Sequence, residues 1–164
     1  MNKAGNTGQQ ITTRDYCRDD IPELAALTVE LGYPTTSIEM AERINFFASN
    51  PDYKTIVAEL NSIIIGYIGM IRINYWEKNG CYIKIQALVV KETARKTGAG
   101  KVLIKCAEEW ARQNNADMLA LTCGNKAERE AAHKFYPKMG FVLNASGYVK
   151  LVGSRQTGLT TIYC

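Results

Sequence analysis

Histidine is almost missing from this chain of 164 residues: His133 stands alone, which excludes a multi-histidine metal centre. Its five cysteines, Cys17, Cys81, Cys106, Cys123 and Cys164, are odd in number, and no two lie within four positions of each other. Neither a disulfide framework nor a zinc site has that spacing, so reduced thiols in a cytoplasmic protein are the expectation. Long apolar runs are lacking too. The longest, Ile63 to Ile71, stops at Arg72 and is too short to cross a bilayer, so no membrane partner is expected. No run of five like charges occurs, and the net charge of +4 is spread along the chain, so nucleic acid is not an indicated partner. Met1 to Gln10 lacks the apolar segment of a secretory signal and reads as a flexible leader, with a single domain over 11–164. What is present suits one soluble core: 46% of residues are hydrophobic and 22% charged.

Hydrophobic periodicity divides the chain into elements. Ile11 to Tyr16 has strand-like residues. Asp20 with Glu23 three positions later predicts a capped helix, with Leu24, Leu27, Thr28 and Leu31 on one face and Gly32 ending it. Thr36 and Glu39 predict a second capped helix, burying Met40, Ile44, Phe47 and Ala48 and stopped by Asn50-Pro51. The period then changes to two. Tyr53 to Leu60 and Ile63 to Asn74, separated by Asn61-Ser62, predict a hairpin, and Cys81 to Val90 a third strand. A helix from about Ala99 to Asn114 follows, burying Val102, Leu103, Cys106, Ala107 and Trp110, and then a strand over Met118 to Cys123. A strand, a helix and a strand in that order predict a parallel β-α-β unit. A last helix spans about Glu128 to Lys138 up to Gly140, with strand material from Phe141 to Leu151. Leu159 to Tyr163 reads as a final edge strand or as a segment that pairs with another subunit.

The chemistry concentrates between the third strand and the third helix, in Leu88-Val89-Val90-Lys91-Glu92-Thr93-Ala94-Arg95-Lys96-Thr97-Gly98-Ala99-Gly100-Lys101. The first turn of a helix carries unpaired N–H groups and the positive end of the dipole, and glycines let phosphate oxygens approach them. A Walker loop would end in Gly-Lys-Ser/Thr, which is missing. A dinucleotide fingerprint would need glycine at position 103, which is Leu103, and an acid near Ala120 and Leu121. What remains is an apolar residue, four spacers, Arg95, two spacers, Gly98, one spacer and Gly100.

Downstream stand Arg129-Glu130-Ala131-Ala132-His133-Lys134-Phe135-Tyr136 and Met139-Gly140-Phe141. These two motifs in order, joined by a β-α-β unit, resemble the GNAT family of N-acetyltransferases from about Ile85 to Val142. Within it, Ile85 to Tyr136 looks most like the branch acetylating small amines, which includes aminoalkylphosphonate N-acetyltransferases. The resemblance implies an α/β fold of α+β type: a mixed, mostly antiparallel sheet with a central parallel β-α-β unit and helices on both faces. It implies acetyl-CoA as cosubstrate, a primary amine of a small molecule as acceptor, and direct attack in a ternary complex. Homodimers are frequent in proteins resembling this one.

The resemblance also assigns roles. The pantetheine arm would run along the backbone of Leu88, Val89 and Val90, with the Val89 N–H as oxyanion donor. The diphosphate would sit on the amides of Arg95, Lys96, Thr97, Gly98, Ala99, Gly100 and Lys101. Arg129 would either touch the cofactor or pair with a neighbouring acid, and Tyr136 would be the general acid. Many relatives carry a glutamate base where this chain has Ala87. Its neighbour Gln86 is no base, which leaves Glu59, Tyr82 or capture of the free amine. Cys123 lacks a histidine partner for covalent chemistry. Two alternatives stay open: a protein or peptide N-acetyltransferase, and a non-catalytic acyl-CoA-binding regulatory module.

Overall fold

A computed structural model describes residues 10–125, 127–145, 147, 148, 150 and 152. All but Gln10 of the expected leader, Cys164 and the expected strand over Leu159 to Tyr163 lie outside the described residues. The chain divides into two units, 1–121 and 122–164.

The first unit is a five-stranded sheet in chain order: β1 (Ile11–Asp15), β2 (Tyr53–Leu60), β3 (Ile63–Asn74), β4 (Cys81–Val90) and β5 (Leu119–Leu121). Neighbours are antiparallel except β4 and β5, which run parallel, as the connecting helix α3 (Ala99–Gln113) requires. The fold is thus the expected mixed α/β sheet. Asn61 and Ser62 both take positive φ, 53° and 62°, the backbone of a type I′ turn whose twist matches its strands.

Each face of the sheet holds its own core. Val57, Tyr67 and Val89 stand side by side on β2, β3 and β4. They pack with Leu24, Ala25 and Leu27 of α1 (Ile21–Glu30) and with Met40 and Ile44 of α2 (Ser37–Ala48). Burying each large apolar side chain there contributes roughly 1.5–3 kcal/mol. The opposite face carries Ala58, whose β1 partner Thr13 accepts a hydrogen bond from Cys106 Sγ of α3 at 3.4 Å. Helix α3 buries Leu103, Ile104, Ala107 and Trp110 and leaves Val102 and Cys106 half-buried, so its apolar stripe is rotated slightly from the expected one.

The Thr36 and Glu39 capping box forms as expected: Glu39 N–H donates to Thr36 Oγ1 at 3.2 Å and Thr36 N–H to Glu39 Oε2 at 2.8 Å. Asp20 behaves otherwise. Its side chain turns back, accepts from Cys17 N–H at 2.7 Å, and receives both arms of Arg14 at 2.7 and 2.9 Å. A bidentate guanidinium outcompetes a helix amide for that carboxylate. Arg14 also holds Glu59 at 2.7 Å, which fastens β1, β2 and the start of α1 together.

In the second unit a single 3-10 turn (Ala127–Arg129) leads into α4 (Glu130–Lys138). Gly140 ends it with φ +85°, and Phe141 N–H donates to Tyr136 O at 3.1 Å. The strand expected from Phe141 to Leu151 does not form among the described residues there. No described strand pairs with them, and Val142 and Leu143 are 81% and 99% exposed.

Candidate active site

Two features of β4 create the site. First, β5 pairs only from Ile83–Leu119 to Ile85–Leu121, so the expected strand over Met118 to Cys123 is cut short. Beyond Ile85 no described strand lies along the outer edge of β4. Second, the register between β3 and β4 slips: Gly69 faces Ala87 and Met70 faces Ile85, which leaves Gln86 as an extra residue. This is a β-bulge.

The bulge reverses which amides face outwards. Along a strand the N–H groups alternate sides. Ile83 N–H donates to Met118 O at 3.0 Å on the β5 side, yet Lys91 N–H donates to Ile65 O at 2.7 Å on the β3 side. Both numbers are odd, so the alternation has changed phase between them. Beyond Gln86, Val89 therefore turns its backbone towards β3, while Leu88 and Val90 present theirs to the open edge. A Cβ added at Gly66 would lie 2.6 Å from Val89 O, which confirms that the Val89 carbonyl points at β3. The outward donor expected at Val89 is thus found at Leu88 and Val90.

After β4 the chain makes a 3-10 turn (Glu92–Ala94) and enters the glycine loop. Thr97 Oγ1 donates to Ala94 O at 2.7 Å, fixing the loop on that turn. Lys96 has φ +67° and Gly98 φ +99°. The first i to i−4 bond of α3 runs from Val102 N–H to Gly98 O at 3.0 Å, so the amides of Gly98, Ala99, Gly100 and Lys101 precede the helical ladder. Nothing lies within 4 Å of a Cβ built at Gly98. Arg95, Lys96 and Lys101 are exposed. Amides that precede the helical ladder, open space at Gly98 and exposed basic side chains together fit a diphosphate.

On the opposite side of β4, a cavity of about 260 Å³ lies between α1, α2 and the sheet. Gln86 and Ala87 of the bulge line it together with Thr28, Arg43, Tyr67 and Gly69. Tyr67 is buried. Thr28 Oγ1 donates to Leu24 O at 2.7 Å and lies 2.8 Å from Tyr67 OH, so the phenol donates to Thr28 and keeps its lone pairs. Burial raises the Tyr67 pKa, with Thr28 and Arg43 opposing. A shallower hollow of about 310 Å³ over Asp15 to Arg18 and Tyr53 to Thr55 is flanked by the Lys54–Asp15 ion pair and contains none of the glycine loop.

Neither side chain suggested as base stands in the cavity lining. Glu59 is held by Arg14, four residues along β2 from Thr55, or about 13 Å at the usual strand rise. Tyr82 lies tilted against Tyr75 at 5.2 Å between centroids, towards the far end of β4. Among the described lining residues no carboxylate or imidazole occurs.

In the second unit Tyr136 lies edge-on to Phe135 and Phe141, with centroids 5.5 and 5.6 Å away. Burial, with Cys123 adding and Arg129 opposing, pushes its phenol up to about 12. Burial likewise pushes the Cys123 thiol up, against Arg129, which leaves a poor nucleophile. His133 Nε2 lies 2.9 Å from Gly124 O and ties that loop to α4.

Residues 20–141 match the family model described as "Acetyltransferase (GNAT) family". The chain belongs to that family. It is 31% identical to a GNAT family acetyltransferase from Staphylococcus aureus subsp. aureus USA300_TCH1516, with a TM-score of 0.73 over 87% of this chain and 98% of that one. It is 27% identical over 139 residues to the uncharacterized N-acetyltransferase YhdJ of Bacillus subtilis (strain 168), covering 84% of this chain and 92% of the relative. Glucosamine-6-phosphate N-acetyltransferase from Arabidopsis thaliana shares the fold, with a TM-score of 0.72 at 18% identity, over 88% of this chain and 100% of that one. As a GNAT member the chain is an acyltransferase, and acetyl transfer is the activity of its family. No helix among the described residues is long and apolar enough to cross a membrane.

Proposed function

We propose that this GNAT acetyltransferase uses acetyl-CoA to acetylate the primary amine of a small molecule by direct attack in a ternary complex. The observation that carries the reading is the outward turn of the Leu88 and Val90 amides immediately before a glycine-started helix. When bound, acetyl-CoA supplies an activated acyl group on a thioester. The edge of β4 would receive its pantetheine arm as an added strand, through Leu88 and Val90. The amides from Arg95 to Lys101 would hold the diphosphate, with Arg95, Lys101 and Arg129 adding positive charge.

Leu88 N–H is held by the sheet, so it is available to an oxygen that gains negative charge without reorganising. Tyr136 serves as proton donor to the leaving sulfur. A phenol pushed up to about 12 stays protonated throughout the neutral range. With no carboxylate among the described lining residues, the acceptor is captured as free amine. Its kcat/KM therefore rises with pH up to the amine's own pKa, and a plateau near pH 6 would contradict this. The limited cavity volume favours a small acceptor over a peptide.

Calorimetry with acetyl-CoA, followed by thiol release across a panel of amines, tests the proposal. Binding without turnover on any amine would replace it by a regulatory acyl-CoA-binding role. No binding to folded protein would remove it.

A further inference from the structure

The chain that leaves β4 is pinned twice in succession. Lys91 N–H donates to Ile65 O of β3 at 2.7 Å, and Glu92 N–H donates to Glu30 Oε2 at 2.9 Å. Glu92 opens the 3-10 turn, whose first amides have no partner within it, and the preceding Lys91 offers no side-chain cap. Glu30 supplies that cap from the end of α1, 62 residues away in sequence. From there the bonding continues through the turn. Ala94 N–H donates to Lys91 O at 2.8 Å, Arg95 N–H to Glu92 O at 3.2 Å, and Thr97 Oγ1 to Ala94 O at 2.7 Å. Gly98 follows directly, so the glycine loop hangs from a turn that α1 holds.

Glu30 gains nothing from its own helix. It is the last residue of α1, where a carboxylate faces the negative end of the dipole, and no basic residue stands in that last turn. The charge-assisted bond to Glu92 N–H offsets this. A carboxylate repels a diphosphate, so Glu30 acts on the cofactor only through the loop. The same end of α1 also serves the cavity between α1, α2 and the sheet, which Thr28, Leu31 and Tyr33 line. Leu31 N–H donates to Leu27 O at 2.9 Å, Gly32 N–H to Val29 O at 2.9 Å and Tyr33 N–H to Thr28 O at 3.1 Å. Glu30 is thus enclosed in one bonded turn with three residues of the cavity wall.

We infer that Glu30 is a positioning residue, which braces the diphosphate loop on α1 and so links acetyl-CoA binding to the helix end lining the cavity. This rests on the acetyltransferase reading above and adds a coupling between its two sites.

The test measures acetyl-CoA binding by calorimetry, and backbone hydrogen exchange over 27–33 and 91–97, in wild type, Glu30→Gln, Glu30→Ala and Glu42→Ala. Glu42, an exposed acid of α2 that does not line the cavity, controls for net charge. Losing one charge-assisted hydrogen bond at the surface raises the acetyl-CoA Kd of Glu30→Ala roughly 3- to 10-fold. Glu30→Gln keeps an oxygen acceptor and recovers part of the affinity, and Glu42→Ala matches wild type. Without ligand, exchange over 91–97 quickens in Glu30→Ala. Acetyl-CoA slows exchange over 27–33 in wild type and in Glu42→Ala, and does not in Glu30→Ala. Alanine also removes an acid from the helix C-terminus, so the urea midpoint of Glu30→Ala does not fall. An equal Kd in wild type and Glu30→Ala overturns the inference, as does an equal loss in Glu42→Ala. So does exchange over 27–33 that acetyl-CoA leaves unchanged in wild type or still slows in Glu30→Ala. A Glu30→Ala protein that loses stability along with affinity marks a plain structural bond and also overturns it. In each of these cases heat with wild type keeps the acetyltransferase reading, whereas no heat with folded wild type removes both.

Discussion

Gly98→Ala isolates the contribution of the glycine loop. Gly98 has φ +99°, where an L side chain is strained, and a Cβ there would meet nothing within 4 Å. The penalty is therefore conformational and not a clash. The left-handed region costs an L-residue about 1–2 kcal/mol. If the loop keeps its shape, that strain appears as lost stability. If it relaxes, the amides leave their positions and must be strained again on binding, which raises the acetyl-CoA Kd by roughly 5- to 30-fold. Gly32 is a matched control, with the same φ of +99° and the same open surroundings after α1. Gly32→Ala should lose comparable stability and keep its acetyl-CoA affinity. Urea titration and calorimetry on both variants give the two quantities. A Gly98→Ala protein with both stability and affinity unchanged would refute the reasoning, because the positive φ would then be dispensable.

Other expectations follow from single contacts. Tyr136→Phe should lower kcat by about 10²–10⁴-fold and leave acetyl-CoA binding intact, as measured by steady-state thiol release and calorimetry. Leu103 is fully buried, so Leu103→Ala should cost roughly 2–5 kcal/mol, read as a lower urea midpoint at constant slope. The Arg14 guanidinium holds the Asp20 carboxyl below its ordinary value of 3.8, with Cys17 assisting and burial opposing. The stability this gives is complete above pH 4 and is lost as pH falls through the lowered pKa, so Asp20→Asn should flatten the acid limb of a stability–pH curve. Gly66→Ala would press a methyl group 2.6 Å from Val89 O, and should weaken both stability and acetyl-CoA affinity by forcing β4 away from β3.

Much of this was legible because the relevant signals are local. Asn61-Ser62 and the Thr36 and Glu39 box each specify backbone geometry within four residues, and each appears as expected. Asp20 and Glu59 were misread because their partner, Arg14, is brought to them by the pairing of β1 with β2. Charge pairing across strands leaves no periodic trace. The shortened β5 is similarly hidden: Met118 to Cys123 is apolar enough for a longer strand, but pairing stops where β4 bulges.

The bulge itself leaves little mark on the sequence, since Ile83 to Val90 reads as continuous strand, yet it decides the arrangement of the site. Inserting Gln86 moves the outward amides from odd to even positions, so Leu88 and Val90 become donors on an edge that β5 has left. It also places both Gln86 and Ala87 in the lining of the cavity between α1, α2 and the sheet. One added residue therefore exposes the backbone on which a thioester arm would lie and shapes the pocket from which an amine would approach. A glutamate in place of Ala87 would add a negative charge to a lining in which Arg43 is the one formally charged residue among those described. Without a carboxylate or imidazole among its described lining residues, a cavity of this kind would rely on the solution to deliver its amine unprotonated.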